Sequence, residues 1–112
     1  MKLSERDRWR LGHVLEAISR VEICVARKND NDPLVDAALE RFVQNIGEMC
    51  RGASKELKQA YSEIPWADIV AMRHILVHEY YIVDKETLWD VAEHKIPVLK
   101  GWIEGILGAE AV

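Results

Sequence analysis

Residues 32–50, DPLVDAALERFVQNIGEMC, carry the pattern on which the fold turns. Val35, Leu39, Phe42, Val43, Ile46, Met49 and Cys50 recur at three- and four-residue spacing, which places them on one apolar face of a helix. Asp32 stands where an N-cap belongs, Pro33 suits the first helical position, and Asp36 falls in the first turn. Ala53 and Leu57 continue the stripe, so the spacing predicts a helix reaching roughly to Tyr61. Gly47 sits inside it with no capping reason. A glycine in a helix interior costs about 1 kcal/mol relative to alanine, so its presence points to close approach by a neighbouring backbone.

Three further segments share the period. The first spans about Ser4 to Lys28, with Leu11, Val14, Leu15, Ile18, Val21 and Val25 as its stripe and Ser4 with Asp7 as a capping box. Another starts near Pro65 and is expected to run to about Tyr80. The last covers roughly Lys85 to Leu107, with Asp84 as its cap and Pro97 kinking or splitting it. The connections NDNDP (29–33), SEIP (62–65) and YIVD (81–84) are short, so neighbouring helices should run antiparallel. No stretch alternates as a strand would. The expected fold is all-α, an up-down four-helix bundle forming a single domain over residues 1–112.

Composition narrows the function classes. At 112 residues the chain has room for one domain and a real core. No apolar run approaches the ~20 residues of a membrane span, and MKLSERDRWR lacks the apolar centre of a signal peptide, so a cytoplasmic protein with no membrane partner is expected. Cys24 and Cys50 form no C-x-x-C pair and read as small core hydrophobes. A net charge of −4 argues against broad electrostatic binding of nucleic acid, so any such contact needs a local basic site.

RHILVHEYY, residues 73–81, is the stretch that plain core packing does not explain. Trp66, Ile69, Val70, Leu76 and Val77 define an apolar face, and Arg73 and Tyr80 fall on that same face, nearly eclipsed. A buried arginine has to be paired or to line a polar cleft. His74 and His78 share a different face. Residue chemistry alone leaves several roles open. Arg73 suits an ion pair, His78 a hydrogen-bonded helix end, and Tyr80 and Tyr81 an aromatic closure of the bundle. A metal pair of His74 and His78 lacks a third ligand nearby and fits neither H-E-x-x-H nor H-x-x-E-H, so no metal is expected.

Arg73, His78 and Tyr80 spell R-x4-H-x-Y, the motif of HEPN domains. The surrounding IPWADIVAMRHILVHEYYIVD (64–84), LWDV (88–91) and QNIGEM (44–49) are similar to the HepT-like branch, the toxin half of HepT/MntA toxin–antitoxin pairs. The resemblance covers about Asp36 to Leu99. Relatives often have asparagine at the place of His74, so a polar residue is kept there.

The resemblance implies a HEPN-type bundle that dimerises with its motifs facing a shared cleft. It also implies a metal-independent endoribonuclease, free of cofactors, that cuts tRNA or other RNA. RNA carries its own nucleophile, the 2′-hydroxyl, so such a protein need only move protons and steady the phosphorane. An imidazole is the side chain suited to general acid or base work near neutrality, which fits His78, and a guanidinium suits non-bridging phosphate oxygens, which fits Arg73. The implied catalytic residues are Arg73, His78 and Tyr80, with His74 a secondary polar group. Control would come from an MntA-type nucleotidyltransferase antitoxin that transfers AMP to Tyr80. Two other classes fit less of the pattern: a non-catalytic HEPN partner that binds substrate for a nucleotidyltransferase, and an interaction bundle without chemistry.

Overall fold

The structure, a computed structural model, describes residues 2–75 and 82–110, and among these it is helical with no strand. In chain order the helices are α1 (Glu5–Ala26), α2 (Pro33–Arg51), α3 (Lys55–Ala60), α4 (Trp66–Ala71), α5 (Ile82–Asp90) and α6 (Ile96–Ala109). Short 3-10 turns cover Lys28–Asp30 and Met72–His74, and a π-helical turn, Val91–Lys95, joins α5 to α6.

Side-chain bonds between helices give their directions. Asp7 of α1 meets Ser54 just beyond α2, so α1 and α2 are antiparallel. Arg8 donates to the Glu110 carbonyl at 2.8 Å, Lys100 pairs with Glu22 at 2.9 Å, and Lys28 pairs with Glu93, so α1 also runs against the α5–α6 unit. Gln44 meets Ile75 and Glu48 meets Arg73, which sets α4 against α2. The expected up-down arrangement follows from these pairings.

Leu11, Val14, Ile18 and Val21 of α1 close on Val35, Leu39, Val43, Ile46 and Cys50 of α2, and Leu99, Ile103 and Ile106 of α6 complete the core. Both thiols are buried. Burial pushes the Cys50 thiol up to about 12 and raises that of Cys24, so both behave as the small hydrophobes that their spacing implied. No helix among the described residues is long and apolar enough to cross a membrane.

Several boundaries differ from those the periodicity suggested. The second helix ends at Arg51, well short of Tyr61, because Ser54 starts a new one by accepting from the Leu57 N–H at 3.1 Å. Asp7, only 3% exposed, accepts from both the backbone N–H and the hydroxyl of Ser54. This diverts Asp7 from the expected capping box: Ser4 accepts from the Asp7 N–H at 3.1 Å, but the carboxylate serves α3 instead. The third helix stops far before Tyr80. It tightens to a 3-10 turn at Met72–His74, and Ile75 is extended at ψ 123°.

The last helix is already formed at Ile82, so Asp84 lies within it and is not its cap. Pro97 does split that helix. Lacking an N–H, it cannot serve the carbonyl one turn back, and the π turn immediately before it absorbs the mismatch, with the Ile96 N–H bonding the Val91 carbonyl.

Replacing Ser54 removes an N-cap and one partner of a buried carboxylate together. Ser54→Ala should therefore destabilise the fold by about 2 kcal/mol, read as a lower urea midpoint at unchanged m-value.

Candidate functional site

Arg73 lies on the 3-10 turn between α4 and Ile75, and three residues of α2 hold that turn. Gly47 provides the contact. A Cβ on Gly47 would lie 2.5 Å from the Arg73 backbone nitrogen and 3.1 Å from the Val70 carbonyl oxygen, so no side chain fits between the two backbones. Gln44 donates its amide to the Ile75 carbonyl at 2.6 Å and fixes the chain where it leaves the turn. Glu48 accepts from the Arg73 Nη1 at 3.4 Å. Gln44, Gly47 and Glu48 are spaced i, i+3 and i+4, so they present one polar stripe on α2 beside its apolar one.

The arginine is less buried than its place on the apolar face suggested, with 31% of its side chain exposed. Tightening to 3-10 geometry rotates it out of the core and toward α2. His74 is exposed, and its Nε2 accepts from the Arg73 Nε at 3.2 Å. The predicted partners His78 and Tyr80, along with Leu76, Val77 and Tyr81, lie outside the described residues. Among the described residues no group of three or more His, Cys, Asp or Glu side chains gathers as a metal site would require.

Glu48 is the electrostatic hinge of this corner. The Arg51 guanidinium, 2.9 Å away, and then Arg73 hold its carboxyl below the usual carboxylate range despite some opposing desolvation. The ionised form is therefore favoured by folding. That contribution is complete above the ordinary carboxylate pKa and is lost as pH falls through the lowered folded value.

On the other side of the turn a cleft of about 440 Å³ opens between α4 and the α5–α6 unit. Ile69, Met72, Ile75, Leu99 and Trp102 make it apolar, and His94 and Lys95 supply polar groups from the π turn. Val98 on its wall is 51% exposed.

The sequence profile described as Ribonuclease HepT-like matches residues 14–106. The chain belongs to the HepT-like ribonuclease family. This places it in the HEPN superfamily. It is 34% identical over 108 residues to a "Probable ribonuclease HepT" of Thermococcus cleftensis, covering 93% of this chain and 96% of the relative. It is 32% identical over 104 residues to "Putative RNase TTE0752" of Caldanaerobacter subterraneus subsp. tengcongensis, covering 89% and 93%. A 35% identical match over 94 residues covers 80% of this chain but 42% of a longer Methanocaldococcus jannaschii protein, "Gamma-glutamylcyclotransferase and putative RNase MJ0434". No solved structure matches the chain.

For this HepT-like chain, QNIGEM has a physical meaning that its resemblance alone did not convey. It is the clamp on the arginine turn. Helical spacing marks out Gly47, whereas Gln44 and Glu48 take their roles from the turn they meet. Their signal was available as helical spacing among polar residues.

Gly47→Ala should strain the α2–α4 contact and cost about 1–3 kcal/mol. Gly105→Ala in α6, where an added Cβ meets nothing within 4 Å, should stabilise by up to about 1 kcal/mol. Chemical denaturation of the two variants checks the opposite signs.

Proposed function

We propose that this chain is a metal-independent endoribonuclease, the toxin of a HepT/MntA-type pair, which cuts RNA at a site shared by two copies. The observation that carries the reading is Arg73: its backbone is locked on Gly47, while its guanidinium stays partly exposed in a surface pair with Glu48. Such a pair is worth under about 1 kcal/mol, so a phosphate can take the arginine at little cost. Family membership supports the RNA substrate.

In the proposed reaction Arg73 holds the non-bridging oxygens of the scissile phosphate. The 2′-hydroxyl attacks the adjacent phosphorus as His78 of one copy takes its proton. The bond to the 5′-oxygen breaks, and His78 of the second copy gives that oxygen a proton. The products are a 2′,3′-cyclic phosphate and a 5′-hydroxyl. A single His78 per chain leaves one of the two proton transfers without a partner, which is why the proposed site needs a homodimer. The apolar cleft beside the Arg73 turn, with Val98 on its wall, supports association through the α4 and α5–α6 face.

Control is proposed to act on Tyr80. Its hydroxyl attacks the α-phosphorus of ATP on an MntA-type nucleotidyltransferase, and pyrophosphate leaves. The attached AMP places a phosphodiester where Arg73 would otherwise hold RNA, and its charge repels the incoming strand.

Total RNA incubated with the purified chain should be cut with or without EDTA. Arg73→Ala and His78→Ala should each lose about 10²–10⁴-fold in rate, while His74→Asn should retain activity. Equal cutting by all variants would reject the assignment. Absence of cutting by the parent chain would favour the non-catalytic partner reading.

Light scattering at micromolar concentration should give twice the chain mass, and a monomer would reject the shared site. Intact mass after incubation with the cognate nucleotidyltransferase, ATP and magnesium should rise by AMP units. That gain should be lost in Tyr80→Phe and kept in Tyr81→Phe.

A further inference from the structure

Arg73 is one of two guanidiniums on Glu48. The Oε2 of that carboxylate takes Arg73 at 3.4 Å, and its Oε1 takes Arg51 at 2.9 Å. All three groups reach solvent: Arg73 is 31% exposed, Glu48 55% and Arg51 57%. Two cations therefore flank a single anion and stand one carboxylate apart. A phosphodiester offers the same pair of charged oxygens, and planar guanidiniums suit it equally well.

We infer that Arg51 is a second phosphate-binding residue of the site, and that Glu48 is an internal anion holding Arg51 and Arg73 as a pair until RNA replaces it. The inference rests on the ribonuclease reading above. Arg51 extends the polar stripe of α2, since Gln44, Gly47, Glu48 and Arg51 stand at i, i+3, i+4 and i+7. Its place is secured from behind, because the Lys58 ammonium donates to the Arg51 carbonyl at 3.1 Å. Exchange of carboxylate for phosphate preserves both charge-assisted contacts, and Glu48 is exposed enough to turn into water. The pair also supplies local positive charge in a chain of net −4.

A plain structural role competes with this one. Arg51 ends α2, where a cation complements the helix dipole with no ligand involved. RNA binding separates the two roles.

The test is anisotropy titration of the full chain with a single-stranded 2′-O-methyl oligoribonucleotide, which lacks the nucleophile and stays uncut, across a range of salt. Arg51→Ala should weaken binding and reduce the slope of log K against log salt by about 0.7 for each engaged copy, the value for one lost contact on a single strand. Arg51→Lys, which keeps the charge, should restore that slope. Glu48→Gln should tighten binding at low salt, because its amide no longer competes with phosphate. Binding by Arg51→Ala with the parent's slope overturns the inference while leaving the ribonuclease reading in place. Weaker binding by Glu48→Gln overturns the exchange role of that carboxylate. A parent chain that neither binds nor cuts RNA overturns both readings.

Discussion

The backbone of Arg73 rests directly on the backbone of α2 at Gly47, and the rest of the site follows from that contact. The available gap would put a Cβ 2.5 Å from the Arg73 nitrogen, which no side chain can occupy. A contact of this kind depends on no rotamer, so it fixes the arginine's Cα more firmly than a side-chain pair would. Once the two backbones meet there, Gln44 one turn earlier falls opposite the Ile75 carbonyl, and Glu48 falls opposite the guanidinium. The helical turn tightens, and regular α structure gives way to an extended Ile75.

The helix that makes this contact is held near both its ends. Near its start, Asp36 accepts from the Trp89 indole at 2.9 Å and pairs with the Lys85 ammonium at 3.1 Å, joining α2 to α5. Beyond its other end, the buried carboxylate of Asp7 grips Ser54, and the Arg10 guanidinium lies over Gly52. Between these ends the apolar stripe is sealed against α1. The polar stripe of α2 is thus presented on an element anchored near both ends.

Charge is handled locally. A net acidic surface repels nucleic acid, and one exposed arginine offsets little of that. Pairing Arg73 and Arg51 across a carboxylate keeps two cations together without leaving them to repel each other. The carboxyl stays ionised because Arg51, and after it Arg73, favour its charged form. In the proposed reaction the phosphate of the substrate takes over a position that the fold already reserves for an anion.

The sequence by itself determined the helical class, the antiparallel order, the caps at Ser4 and Asp32, and an interruption at Pro97, either a kink or a split. Each of these follows from local periodicity, side chain-to-backbone bonding or a missing N–H. It also determined the family, through residues 44–49, 64–84 and 88–91. Gly47 announced a close backbone approach because a glycine in that setting weakens a helix unless something needs the space.

Only the tertiary structure decided which backbone fills that space, and so where the third helix ends. The Gln44–Ile75 bond spans 31 positions and the Asp7–Ser54 bond 47, so no local window contains either pair. Periodicity extended the second helix to Tyr61 and the third to Tyr80 because the apolar spacing does continue. The second helix stops at the local cap of Ser54 on Leu57, which Asp7 of α1 supports from 47 positions away, and the third stops where Gln44 of α2 takes the Ile75 carbonyl.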